Sequence, residues 1–293
     1  MTRPDAPERQ PSADRRLSRW LPDLAPTAPA EPGSGERRAW RLLGRLVLAF
    51  VLLAGAVSTG ANLIQRETSH ERMFFERIAR VEIDSGPARV SVLAAGTDRV
   101  LVAERVGWAL SRPTVSEHVE NDTLSISVGC PGGRARSLFG CAVNLEIQVP
   151  PNTEVHSRNS SGRTEILGIA GAVSASTDRG QVELTRVSGR VRAVSGSGQI
   201  IGNGLASSAA ELFSSSGQIT LQYDRAPLAV TARTASGNFI LHLPADGSRY
   251  RTDLSTADGR QEIDTSVPDQ ESSRVLDITS GSGRVTIDRD NER

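Results

Sequence analysis

Side chains able to act as nucleophiles are plentiful in this chain, and bases to activate them are few. Ser195, Ser197, Ser214, Ser215, Ser216, Ser280 and Ser282 crowd the C-terminal half, whereas the histidines number four: His70, His118, His156 and His242. A nucleophilic serine needs a base within hydrogen-bond reach, and no G-x-S-x-G elbow occurs. Every one of these serines stands within three residues of a glycine, the setting of a turn residue. A carboxylate pair of the kind that cleaves polysaccharides would draw on Asp178, Asp258, Glu183 and Glu262. The two aspartates precede their glycines by two and by one residue, so they are out of register, and the two glutamates fall on the solvent face of strands. The calcium nonapeptide pattern is missing, the cysteines lack partner ligands at zinc spacing, and Gly196 and Gly198 have no strand-then-helix context for a phosphate loop. No catalytic residue, metal site or cofactor is expected.

The elements that carry these residues explain their number. A glycine returns at Gly162, Gly180, Gly198, Gly217, Gly237, Gly259 and Gly283, with gaps of 18, 18, 19, 20, 22 and 24 residues. A period near 20 residues marks stacked units rather than one mixed core. Seven before the glycine stand Val155, Val173, Val191, Ala210, Val230, Thr252 and Leu276, and five before it Ser157, Ala175, Ala193, Leu212, Ala232, Leu254 and Ile278. Two after it stand Thr164, Val182, Ile200, Ile219, Phe239, Gln261 and Val285, and four after it Ile166, Leu184, Gly202, Leu221, Leu241, Ile263 and Ile287. Steps of two on both sides of the glycine are strand periodicity. Each unit is therefore predicted to be a strand, a tight turn in which glycine takes a positive φ, and a second strand. One unit has no core of its own, so stacking must bury the inward row of each against the next. A small polar residue three before the glycine (Asn159, Thr177, Ser195, Ser214, Thr234, Thr256, Ser280) forms an inward ladder at the coil corner. The residue just after the glycine (Arg163, Gln181, Gln199, Gln218, Asn238, Arg260, Arg284) faces outward, where stacked amides can bond to one another.

The stretch Val149-Pro150-Pro151-Asn152-Thr153, followed by units such as TASGNFIL, resembles the bacterial β-strand-repeat, adhesin-like domains of unknown function grouped as toastrack domains. The resemblance covers about residues 78 to 289. It implies a β-helix-like solenoid in the cell envelope beside a membrane helix, and it brings no catalytic residues.

Upstream, residues 46 to 64 read LVLAFVLLAGAVSTGANLI without a charge. As a helix they would measure roughly 28 Å, near the thickness of a bilayer core. Arg37, Arg38, Arg41 and Arg45 precede them, which places the N-terminal flank in the cytoplasm. A cleaved signal peptide is the rival, disfavoured by the length of the apolar run. The expected organisation is all-β: a disordered, proline-rich cytoplasmic tail over 1–40, a transmembrane helix over 42–64, a juxtamembrane stalk over 65–80 and an extracytoplasmic β-solenoid over 81–289. Met73, Phe74, Phe75 and Ile78 of the stalk either lie in the membrane interface or seal the first coil.

An oxidising compartment would let Cys130 and Cys141 pair and close the base of a hairpin loop. That loop carries Arg134, Arg136, Leu138 and Phe139, which either contact a lipid or protein partner or fold back as a cap. Zero formal net charge gives no reason to expect nucleic acid, and 4% aromatic residues argue against sugar stacking. Every basic side chain is arginine, a mark of a GC-rich genome. The expected function is a non-enzymatic, membrane-anchored binding or envelope-sensing module whose partner is an envelope protein or a wall polymer. A surface adhesin or cell-wall-binding protein is the alternative.

Overall fold

The structure is a computed structural model that describes residues 43–49, 51, 66–108, 112–130 and 141–290. It divides into two units, residues 1–58 and 59–293. In the first, residues 43–49 and 51 are helical. Seven helical residues rise about 10 Å, a third of a bilayer core of about 30 Å. Among the described residues no helix is long and apolar enough to cross a membrane, which overturns the expected transmembrane helix over 42–64. The tail over 1–40 lies outside the described residues.

The second unit is built from strands, because nearly every segment alternates apolar and polar residues with period two. One sheet has 11 strands and the other 10. Each coil places one strand in each sheet. The central coils run β8 (Glu154–Asn159) to β9 (Arg163–Leu167), β10 (Val173–Thr177) to β11 (Gln181–Thr185) and β12 (Val191–Ser195) to β13 (Gln199–Leu205). They continue through β14 (Ala209–Ser214) to β15 (Ile219–Tyr223) and β16 (Ala229–Thr234) to β17 (Phe239–Pro244). Neighbouring coils pair in parallel and in register, Val173 with Val155 and Val191 and Val182 with Thr164 and Ile200. The rows legible in the sequence are therefore the rows of the core. Val155, Val191, Val230 and Phe239 are wholly buried. Gly202 leaves room in its row, and Leu205 fills it, its Cδ1 lying 2.7 Å from where a Cβ on Gly202 would stand.

Order along the stack departs from order in the chain at both ends. β20 (Val275–Ser280) and β21 (Arg284–Asp290) pack directly on β16 and β17. β18 (Arg251–Thr256) and β19 (Arg260–Ile263), earlier in the chain, lie outside them. The inward residues decide this. Leu276, Ile278, Val285 and Ile287 are apolar and covered on both sides, whereas Thr252, Leu254, Gln261 and Ile263 form a more polar coil suited to the stack end. Tyr250 and Tyr223 are buried, and among the described residues neither hydroxyl has a hydrogen-bond partner. Burial pushes the Tyr250 phenol up to about 12. Tyr250→Phe removes a buried, unsatisfied hydroxyl while keeping the ring. It is expected to raise the unfolding free energy by about 1 kcal/mol in a denaturant titration.

At the other end β2 (Arg80–Gly86) and β3 (Arg89–Ala94) form a coil against β8 and β9. The chain then runs outward to β4 (Val100–Trp108) and β5 (Thr114–Glu120). It returns to insert β6 (Thr123–Gly129) and β7 (Ala142–Val149) between those strands and the β2–β3 coil. β4 and β5 are antiparallel to β7 and β6 and end the parallel stack. Cys130 and Cys141 are bonded, with Cα atoms 6.0 Å apart. β6 and β7 belong to different sheets, so the disulfide spans a coil corner rather than the base of a hairpin.

The segment read as a stalk contains a strand, β1 (Arg66–Phe74), paired antiparallel with β4 over nine residues. Ile78 is buried, which settles its alternative in favour of the coil. Arg72 of β1 reaches Glu117 of β5 at 2.9 Å, with 4% of the Glu117 side chain exposed. Burial pushes the Glu117 carboxyl above its usual range, and Arg72 opposes this.

Candidate functional site

The coil corner sets the geometry of the outer surface. Six of the seven repeat glycines do not have positive φ; Gly283 alone does, at 132°. The turn therefore does not select glycine for its left-handed conformation, contrary to expectation. Close approach selects it. A Cβ on Gly180 would stand 1.9 Å from the Gly162 carbonyl oxygen, one on Gly198 1.6 Å from that of Gly180, and one on Gly217 1.7 Å from that of Gly198. Gly237 repeats the contact on Gly217, and Gly259 on Gly283. A Cβ on Gly162 would meet Ala88 O at 1.9 Å, so the β2–β3 coil joins the same ladder.

Five of the polar residues three before the glycine, Asn159, Thr177, Ser195, Ser214 and Thr234, are buried and bond to the corner backbone, whereas Thr256 is only partly buried. Thr177 Oγ1 accepts the Gly180 amide at 2.8 Å, Thr234 Oγ1 the Gly237 amide at 2.9 Å, and Asn159 Oδ1 the Gly162 amide at 2.6 Å. Ser195 Oγ donates to Gly198 O at 2.8 Å. Ser214 accepts the Gly217 amide at 2.9 Å and donates to its carbonyl at 3.0 Å. These serines are occupied by the backbone and are not poised as nucleophiles.

Fixed corners hold the next residue of each coil in line. In the 11-stranded sheet, register places Arg105, Asn144, Arg89, Arg163, Gln181, Gln199, Gln218, Asn238, Arg284 and Arg260 in one outward row. At about 4.8 Å per strand the row is roughly 43 Å long. It holds guanidinium and amide groups and no carboxylate. Glu165 and Glu183 approach Arg163 from the adjacent row at 3.5 and 3.9 Å. Among the described residues Arg89 has no carboxylate partner, and the same holds for Arg179 at the corner. Arg89, Arg163 and Arg179 lie on one open surface patch with Gln181, Ser197 and Gln199. The expected amide ladder does not form among the described residues: Gln218 Nε2 donates to Thr220 within its own strand at 3.0 Å, and Asn238 Oδ1 accepts the Arg284 amide at 2.9 Å.

Sequence reasoning finds the row from Arg163 onward through the repeat glycine, but not Arg105, Asn144 or Arg89. The signal for Arg89 is present. It precedes Val90 in the alternating ARVSVLA as Arg163 precedes Thr164. The loop residues Arg134, Arg136, Leu138 and Phe139 lie outside the described residues.

The acid–base candidates do not converge. His156 Nε2 lies 2.7 Å from Glu154 Oε1, and Arg80 binds the same carboxylate at 2.8 Å. The bond with His156, and then that with Arg80, holds Glu154 below the usual carboxylate range. Ser125, Ser127, Ser174 and Ser176 share the depression around His156, but Glu154 is the only hydrogen-bond partner of His156 among the described residues. His242 pairs with Asp288 on the other sheet, and among the described residues no serine or cysteine is bonded to either. Glu183 and Glu262 lie at the surface, each beside an arginine. No grouping of histidine, cysteine and carboxylates among the described residues is arranged to hold a metal ion.

Three solved bacterial structures are similar to this chain. A protein from Bacteroides fragilis with the provisional label adhesin is 11% identical, with 76% of this chain and 97% of that chain covered and a TM-score of 0.42. One from Parabacteroides distasonis, provisionally labelled a lipid binding protein, is 12% identical over 76% and 96%, with a TM-score of 0.42. One from Clostridium sporogenes, provisionally labelled a cell adhesion protein, is 10% identical over 76% and 100%, with a TM-score of 0.34. No curated protein matches the chain in sequence. The family model described as Toastrack DUF4097 matches residues 78–291, the span that begins just before β2 and ends with β21, and the chain belongs to that family.

Proposed function

We propose that this protein is a non-enzymatic binding module of the bacterial cell envelope, and that its contact surface is the outward arginine and amide row of the 11-stranded sheet. The row itself carries the reading. It is a long array of hydrogen-bond donors held in register by neighbouring strands, and it suits an extended partner rich in acceptors. The disulfide between Cys130 and Cys141 supports an oxidising, extracytoplasmic setting. The outward row contains no aromatic residue, so recognition rests on charge and hydrogen bonds rather than on ring stacking. Among the described residues no nucleophile meets an acid–base pair, which favours binding over catalysis.

The test is retention on acidic wall polymer. Exposed ion pairs contribute about 0.2–1 kcal/mol each, so the triple substitution Arg89→Glu, Arg163→Glu, Arg179→Glu is expected to weaken binding about tenfold. Binding of the unaltered protein should also fall as salt is raised, because exposed charges are screened. Equal retention of the two proteins at low salt would sink the assignment of this row.

A further inference from the structure

The end of the stack carries a second surface of a different kind. β1 lies outside the span matched by the family, which begins at residue 78. It adds a strand to the β4 edge in continuous register from Arg66 opposite Trp108 to Phe74 opposite Val100. Its hold is slight. Eight of its nine residues are exposed, and Phe74 is the one that packs against the core. Besides the main-chain bonds, Arg72 reaches Glu117, Glu67 lies 3.8 Å from Arg105, Met73 Sδ accepts from Arg99, and Phe74 packs against the core.

Beneath β1 is a position built for a cation. Glu117 comes from the edge strand of the opposite sheet, and its side chain is almost wholly buried. One carboxylate oxygen accepts Arg72, and the other, Oε1, is buried with no hydrogen-bond partner among the described residues. Glu104 of β4 and His70 of β1 are the other titratable groups that act on it. A buried carboxylate with half its acceptors unused is costly unless a cation stays close. Without β1 the domain would present an open strand edge and an acidic socket side by side. That pairing is the signature of strand addition, in which main-chain bonds supply affinity and alternate side chains supply specificity.

We propose that the β4 edge is an acceptor site for an extended segment of a partner protein that carries a basic residue followed, two positions on, by an aromatic or large apolar one, and that β1 is its displaceable occupant. The basic residue enters the Glu117 socket, and the apolar residue packs beside Val100 where Phe74 now sits. Displacement frees β1, so binding of the partner alters the segment that leads from the N-terminal unit into the domain.

The experiment uses the full chain and a labelled peptide with the sequence of residues 66–76. Arg72→Glu in the chain weakens the resident strand by setting two carboxylates against each other. The peptide is expected to bind this variant at least tenfold more tightly than the unaltered chain. A peptide with glutamate in place of its arginine at the Arg72 position should not bind. Adding Glu117→Gln to the Arg72→Glu chain should remove most of the gain. Hydrogen exchange of the β1 amides should be faster than that of β9 and β11 in the unaltered protein. No peptide binding to the Arg72→Glu chain, or β1 amides as protected as those of the central coils, would overturn the proposal. Dimers that form by exchange of β1 between copies, seen by size exclusion, would reassign the edge to a second copy and overturn the partner reading.

Discussion

Gly198→Ala is expected to destabilise the domain by roughly 3 kcal/mol or more, at the upper end of overpacking effects. The added methyl would stand 1.6 Å from the Gly180 carbonyl oxygen and 2.8 Å from its carbonyl carbon. Both atoms are backbone, so no rotamer change can relieve the clash. The coils on either side are tied by parallel ladders on both sheets, and separating them at the corner strains those bonds. Gly96→Ala is the control. Nothing lies within 4 Å of its added Cβ, and it is expected to change stability by no more than about 0.5 kcal/mol. Denaturant titrations of the three proteins measure both effects. A Gly198→Ala domain as stable as the control would show that the corner yields and that close approach does not explain the repeat glycine.

The second large effect is expected from the disulfide. The sequence separation of Cys130 and Cys141 is 11 residues. Closing a loop of that size restricts the unfolded chain and stabilises by about 3 kcal/mol in the chain-entropy model. The bond also joins β6 and β7, which form the inserted coil between the β2–β3 coil and the antiparallel end strands. Replacing both cysteines by serine should therefore lower the unfolding free energy by about 3 kcal/mol, and a reducing agent should do the same to the unaltered protein while leaving the double variant unchanged. If reductant leaves the unaltered protein at full stability, the loop is held closed by its strands and the covalent bond is redundant. Because β1 packs on β4 next to this coil, the loss should be felt first at the β4 edge. Faster exchange of β4 amides before those of β11 is the expected pattern in reduced protein.

Which side chains point inward is legible from the sequence, and the reason is local. Alternation along a strand is a property of the strand itself, so Val173, Ala175 and Thr177 fall on one face whatever lies beside them. The constant spacing from each glycine carries that phase from coil to coil. Thus Val155, Val173, Val191, Ala210 and Val230 form one buried row, and the residues after the glycine form one outward row. The place of the serines is equally visible, since they stand at fixed positions beside the turn.

Which strand lies beside which is not legible, because neighbour choice depends on contacts between distant segments. The chain order 237, 259, 283 gives no sign that the Gly283 coil slips between the other two. The difference lies in how well Leu276, Ile278, Val285 and Ile287 fill a doubly covered layer compared with Thr252 and Gln261. The insertion of β6 and β7, the placement of β1 on β4 and the meeting of Arg72 with Glu117 are of the same kind, since each joins residues far apart in the chain. An apolar run over residues 46–64 points to a membrane helix, whereas among the described residues no helix is long and apolar enough to cross a membrane. The repeat glycine is visible through its period, but its physical cause is not. Its role is set by a carbonyl of the neighbouring coil, an atom distant in the chain that only the stacked structure brings close.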